Sequence, residues 1–294
     1  MQNFKAYIFL ILCTSFWAGN FIVGKVATLF EIPPFTLNFY RWLIAFIILF
    51  PFTYKQILTS LDEIKKNLFP LCVMGFTSIT IFNSVVYYSL NFTQVLNGVL
   101  MISTIPVLII FFSSLFKTEK IKINQILGVL TSLIGVLIII TKMDLQKLLN
   151  LNLNKGDLWI LVAMISWATY SIMVKEKKVN LEPLALLEVI IFLGVLMLLP
   201  FFFFELSNGK YLVLNIPVAL TVGFVVLFPG IGAYIFWIRA IKLVGPSKAG
   251  VFLHLMPVFS SLMAIFLIGE KFANFHIFGA LFILTGIFVS SKFS

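Results

Sequence analysis

The chain is 294 residues long, 61% hydrophobic and only 11% charged, with a formal net charge of +10. A soluble domain of that size has nowhere to hide so much apolar surface, since average chains carry roughly a quarter charged residues, so the solvent for most of it is lipid. The basic residues lie between apolar segments rather than on one face, which argues against nucleic acid as the partner of that charge.

A helix crossing the hydrocarbon core needs about 20 mostly apolar residues, and ten segments satisfy that rule. The first lies near 4–24. A lipoprotein signal ending at Cys13 is disfavoured by the large Leu12 and by the apolar run that continues past it. This segment carries Trp17 near its middle, with Asn20 and Gly24 on the same face. The second, near 34–53, holds Arg41 roughly 10 Å deep at 1.5 Å per residue, where a charge costs on the order of 3 kcal/mol. The third, near 67–90, puts Thr80, Asn83 and Tyr87 on one face, and the fourth, near 94–116, does the same for Asn97, Met101 and Thr104, ahead of Pro106.

The fifth, near 123–141, carries Gly128 and Gly135; the sixth, near 157–176, carries Trp167, Tyr170 and Ser171. Glu188 falls in the seventh, near 182–204, and Tyr234 and Trp237 in the eighth, near 214–240. Trp237 and Tyr88 lie toward segment ends, where aromatics anchor the membrane interface. The ninth, near 247–268, carries Gly250, His254 and Pro257; the tenth, near 274–291, carries Gly279 and Gly286. Cys13 and Cys72, the two cysteines, both sit inside apolar runs, so neither a disulfide framework nor a metal cluster is suggested. No cofactor motif is present.

The stretch "IPVLIIFFSSLFKTEK" at Ile105–Lys120 returns as "MPVFSSLMAIFLIGEK" at Met256–Lys271. Four landmarks keep one offset: Pro106, Glu119, Gly128 and Gly135 against Pro257, Glu270, Gly279 and Gly286, spaced 13, 9 and 7 residues in both copies. The chain is therefore an internal duplication, with residues 1–141 and 157–294 as five-helix copies and 142–156 as their connection. Five is odd, so the second copy enters the membrane upside down. The expected fold is an all-α integral membrane protein of ten transmembrane helices arranged as two inverted repeats. Inverted repeats around a midplane site are a route to alternating access.

With a cytoplasmic N-terminus, 14 Lys and Arg residues fall on the inner side and 6 on the outer. The positive-inside rule then puts both termini in the cytoplasm, across a cytoplasmic (inner) membrane.

Three stretches carry a resemblance: "FWAGNFIVGKVA" (Phe16–Ala27), "NFYRWLIAFIILFP" (Asn38–Pro51) and the long block Gly245–Val289 with its mid-helix Pro, Gly-Glu turn and two spaced glycines. The chain resembles ten-helix, EamA-type members of the drug/metabolite transporter superfamily along essentially its whole length. One departure is Thr118, which stands where the second copy has Gly269. The resemblance implies helices 1, 3, 4, 6, 8 and 9 around a central cavity, with 5 and 10 at the periphery. It also implies transport of amino acids or related amphipathic compounds, export being the commoner assignment. Arg41 matches the Arg of the family's second helix. Because that helix is not expected to be central, Arg41 reads as a lock on helix packing, through backbone carbonyls and Asn38, rather than as a substrate anchor.

The expected substrate-binding set is Trp17, Asn20, Asn83, Tyr87, Asn97, Met101, Trp167, Tyr170, Ser171 and His254. Paired aromatic and polar stripes suit a flat or cationic ligand. His254 and Glu188, ionisable and within spans, are the candidates for proton coupling, although Glu188 reads as paired with a polar group. Pro106 and Pro257 each free a backbone carbonyl one turn back and shape or hinge their helices. Glu119 and Glu270 sit at turns beside Lys120 and Lys271, where capping the next helix and pairing with the lysine explain them. The glycine pairs fit intramolecular packing or a homodimer seam. No catalytic residue or metal site is expected. The inverted repeats predict a secondary transporter of a small organic metabolite, and the resemblance implies efflux; import or exchange of a nucleoside-like or amino-acid-derived compound, a membrane enzyme and a membrane scaffold are the alternatives.

Overall fold

A computed structural model describes residues 2–29, 32–89, 91–92, 98, 101–144, 146, 154–176, 179–268 and 271–292. Helix is the only regular structure among the described residues. The main helices are α1 (Gln2–Leu29), α2 (Pro34–Thr59), α3 (Leu68–Ser89), α4 (Ile105–Leu115) and α5 (Ile123–Thr141). After the connection come α6 (Lys155–Glu176), α7 (Pro183–Ser207), α8 (Ile216–Val244), α9 (Pro246–Phe266) and α10 (Asn274–Lys292). A short helix, Leu61–Lys66, bridges α2 and α3.

Among the described residues, eight helices, α2, α3 and α5 to α10, are long and apolar enough to cross a membrane, and α4 is a shorter apolar helix. The remaining long helix, α1, has 28 residues. Proline sets several starts, as at Pro34, Pro183, Pro217 and Pro246, all in the first two helical positions, where a missing N–H costs nothing. The helix α2 runs past its expected end to Thr59, with Pro51 inside it. The expected segment 94–116 is described from Gly98 only in part, and its helix α4 begins at Ile105 after a turn at Ser103–Thr104.

Charged groups are buried inside the apolar core, and large apolar side chains face outward. Arg41, Glu188 and His254 are fully buried, whereas Phe52, Phe69, Ile216 and Phe266 are 76%, 78%, 78% and 81% exposed. Apolar surface on that scale fits a lipid surround.

Packing is reciprocal between the halves. Helix α1 lies against α8 and α9, while α6 lies against α3 and α4; α2 packs on α7, and α5 on α10. The α5–α10 seam is the tightest. A Cβ at Gly128 would lie 2.5 Å from the Gly286 carbonyl oxygen, and one at Gly135 would lie 2.5 Å from that of Gly279. Following α5 from Gly128 to Gly135 therefore means following α10 backwards, so the two helices run antiparallel. The glycine faces are used inside this one chain.

Two irregularities also come in pairs. Helix α3 widens into a π-helix at Phe76–Phe82, and α8 does so at Val226–Gly232. The offset of 151 residues between Pro106 and Pro257 carries the first bulge to within one residue of the second. The same offset carries the Ser103–Thr104 turn onto the end of a 3₁₀ turn, Phe252–His254, inside α9. Both breaks lie just ahead of the prolines, which deprive the preceding turn of a donor.

Candidate functional site

A pocket opens between the halves. It is lined by Trp17 and Asn20 of α1, Phe82, Asn83, Val86 and Tyr87 of α3, Ile102, Ile105 of α4, Trp167 of α6, and Leu253 and Met256 of α9. Its volume is about 40 Å³, room for a few waters at most and far below the several hundred Å³ of a metabolite site. The pocket is thus closed down on itself. A larger open cleft, about 980 Å³, lies at one end of the bundle beside Phe35, Tyr88, Phe92 and Glu205, with walls from the ends of α2, α3 and α7.

Behind the pocket stands an aromatic cluster. The Trp17 and Trp167 rings meet edge-on at 5.0 Å, and Trp237 lies 5.4 Å from Trp17 and 5.8 Å from Trp167. Tyr234 packs 5.3 Å from Trp167 and 4.8 Å from Trp42, and Phe82 caps Trp167 at 4.5 Å. Two indole donors are anchored: Trp17 Nε1 donates to the Pro229 carbonyl at 3.1 Å, and Trp237 Nε1 to Ser171 Oγ at 3.3 Å. Trp167 Nε1, equally buried, has no partner.

A polar network runs along α3. Arg41 Nη1 donates to Asn83 Oδ1 at 2.9 Å and to the Tyr87 hydroxyl at 2.8 Å, and the guanidinium lies 4.8 Å over the Trp42 ring. The Tyr87 hydroxyl in turn donates to Asn20 Oδ1 at 3.3 Å. Asn83 Nδ2 donates to the Ser78 carbonyl and to the Tyr234 hydroxyl, and that hydroxyl donates to the same Ser78 carbonyl at 2.9 Å. The carbonyls of Ser78 and Pro229 both lie in π-bulges, where the widened turn leaves them free to accept from side chains. They are also equivalent by the repeat offset.

Of the expected binding residues, the structure brings Trp17, Asn20, Asn83, Tyr87 and Trp167 together at the pocket. Tyr170 is buried in the aromatic cluster, its hydroxyl unpartnered. Ser171 serves Trp237 and donates to the Trp167 carbonyl. Met101 packs at the edge of the core, and Asn97 lies outside the described residues.

His254 is off the pocket: Nδ1 sits 2.6 Å from Ser132 Oγ and Nε2 3.0 Å from the Ser103 carbonyl. With Nε2 as donor and Nδ1 as acceptor, both nitrogens are satisfied in a neutral ring, and the ring ties the break ahead of α4 to α5 and α9.

Several expectations change. Arg41 binds Asn83 and Tyr87, not Asn38, whose amide instead donates to the Ile79 carbonyl and Ser84. Glu188 does not pair among the described residues: both carboxylate oxygens are buried without a partner there. Thr80 leaves the face of Asn83 and Tyr87 and donates to the Gly194 carbonyl of α7, because the π-bulge adds a residue to the turn between them. Trp237 is fully buried rather than interfacial, since α8 continues to Val244.

Glu119 caps not the helix that follows it but α9, accepting from the Ser247 N–H at 3.1 Å. Glu270 lies outside the described residues. The sequence reading passed over Trp42, Phe82 and Glu205; the last is buried and accepts from the Thr36 N–H at 2.7 Å and hydroxyl at 2.9 Å.

Buried charge, a lipid-suited surface and a closed pocket between two reciprocally packed helical halves define the class as a multi-pass helical membrane protein. Comparison with known proteins agrees. The EamA-like transporter family matches residues 4–141 and again 154–292, and the chain belongs to that family. It is 24% identical over 293 residues to the uncharacterized transporter YyaM of Bacillus subtilis (strain 168), covering 99% of this chain and 95% of the relative. YetK, an uncharacterized transporter of the same organism, is 27% identical, with 98% and 87% covered. An uncharacterized transporter of Clostridium kluyveri is 27% identical, with 97% and 93% covered. A solved structure titled only as the crystal structure of a protein shares the fold, with a TM-score of 0.75 at 17% identity over 99% of this chain and 96% of its own.

Proposed function

We propose that this chain is a secondary transporter of a small organic metabolite, an amino acid or related amphipathic compound, working by alternating access. Ten spans form two five-helix repeats, 1–141 and 157–294, joined by 142–156, with the second repeat inverted. The observation that carries this reading is the central pocket, whose wall comes from both halves and at which equivalent residues of the two repeats meet. Trp17 meets Trp167, and Asn83 meets Tyr234, its counterpart by the repeat offset.

The crossed glycine contacts support the inversion. An antiparallel, self-complementary contact between equivalent helices implies a twofold axis perpendicular to them, which for spanning helices lies in the membrane plane. Such halves have two near-equivalent packings, open to opposite sides. The paired π-bulges and proline breaks are the points where α3, α8, α4 and α9 can flex as the closed pocket opens.

The bias of 14 basic residues against 6 supports cytoplasmic termini in a cytoplasmic membrane. Export follows from the family resemblance, and the solute leaves chemically unchanged.

The test is a thermal-shift screen of the purified chain against a metabolite library, repeated with Trp17→Ala and Trp167→Ala, since a ligand that binds only the folded state raises the midpoint by mass action. A hit that stabilises the wild type and is lost in both folded variants supports the reading. Full shifts retained in both variants would move the site away from the tryptophan pair.

A further inference from the structure

Four observations meet at the central pocket. First, Arg41 is fully buried, and among the described residues it makes no ion pair and its Nε has no partner. Its charge is permanent, so the cation is held in low dielectric by neutral groups alone. Second, the two groups that hold it, Asn83 and Tyr87, are themselves pocket wall. Third, the hydrogen-bond chain ends at Asn20, whose oxygen is taken by Tyr87, leaving the amide nitrogen as that side chain's free group. Fourth, Trp167 Nε1, from the α6 wall of the same pocket, is a buried donor without a partner among the described residues.

The free polar capacity of the pocket is thus mainly donor capacity, backed by a positive charge. Among the described residues no Asp or Glu lines it, so an ammonium group would find no carboxylate from them there. An uncompensated buried charge is costly, and a counter-ion with good hydrogen bonds offsets that cost. One cation balances one negative charge, which favours a monoanion over a phosphate dianion. The rest of the wall is aromatic and aliphatic.

We propose that the pocket receives an organic carboxylate with an apolar body, its carboxylate accepting from the Asn20 amide N–H in the field of Arg41, which Tyr87 relays to Asn20, and its body against Trp17 and Trp167. This rests on the transporter reading and sharpens it. Amino acids are then bound through the carboxylate end, and simple carboxylic acids lacking the amine are accepted, whereas amines are not. Tyr87 is the group that couples the ligand to Arg41.

The test uses matched probes on the purified full chain: phenylacetate, phenylacetamide and phenethylamine, then isovalerate, isovaleramide and isoamylamine. Thermal shift is titrated with each for the wild type, Tyr87→Phe and Arg41→Lys. The acids are expected to bind about tenfold or more tightly than their amides, as charge-assisted hydrogen bonds require, and the amines not to bind. Tyr87→Phe, which keeps the ring, should bring acid and amide close to parity even if Arg41→Lys fails to fold.

Equal binding of acid and amide in the wild type, preference for the amines, no shift from any acid, or an acid preference that survives Tyr87→Phe would each overturn the proposal. Saturable counterflow of a neutral or cationic solute, together with any of those results, would leave transport standing and remove the anion site.

Discussion

The α5–α10 seam gives the sharpest stability prediction. In Gly135→Ala the new methyl would lie 2.5 Å from the Gly279 carbonyl oxygen and 2.8 Å from Ile283 N, about 0.9 Å closer to that oxygen than the 3.4 Å of ordinary contact. Both obstacles are backbone, so no side chain can swing aside, and the helices must part. Overpacking of this kind costs about 1–3 kcal/mol. Parting also weakens the close helix contact that substitutes for apolar burial as a driving force in lipid.

Gly223 is the control. A Cβ there meets nothing within 4 Å, and Ala in a helix is intrinsically better than Gly by up to about 1 kcal/mol. In nanodiscs, the thermal midpoint of Gly135→Ala should fall by roughly 2–8 °C, while Gly223→Ala holds or rises. Gly128→Ala, facing Gly286, should behave like Gly135→Ala. Midpoints for both seam variants equal to that of Gly223→Ala would refute the crossed glycine contact.

Three other changes test the interior. Tyr234→Phe removes the hydroxyl that donates to Ser78 and accepts from Asn83, and should cost about 1–3 kcal/mol through the groups left unpaired; an unchanged midpoint would mean those bonds are not made. Trp237→Ala empties a fully buried site among Trp17, Trp167 and Ser171 and should cost about 3–5 kcal/mol, whereas an interfacial tryptophan would lose little. Glu205→Ala strips the Thr36 N–H and hydroxyl of their shared acceptor at the start of α2 and should lower stability by about 1–3 kcal/mol, with hydrogen exchange rising first in that turn.

Much of the architecture is readable from periodicity alone. Helix α5 begins and ends where its apolar run does, and the four spaced glycines that betray the duplication are also the contact between its copies, because only hydrogen side chains allow that approach. Trp17 and Trp167 are recognisable as partners from their matching positions.

The misreadings have separate physical causes. Assigning faces by a regular turn assumes 3.6 residues per turn, and the bulge at Phe76–Phe82 breaks that count with no Pro or Gly inside it to announce it; hence Thr80 was grouped with Asn83. The partners of Arg41 lie 42 and 46 residues away, and no local pattern links them. For Glu188, the expectation that a buried acid finds a partner gave way to two bare oxygens among the described residues.

The most direct test of the central claim is solute counterflow in proteoliposomes loaded with the members of a metabolite library, including acids, neutral compounds and amines. The account predicts saturable, competable exchange of at least one small amphipathic solute, abolished when Trp167→Ala or a side-specific crosslink fixes the pocket, with the solute recovered chemically intact. Absence of saturable exchange for every class of solute, in vesicles where the protein is folded and inserted, would contradict it.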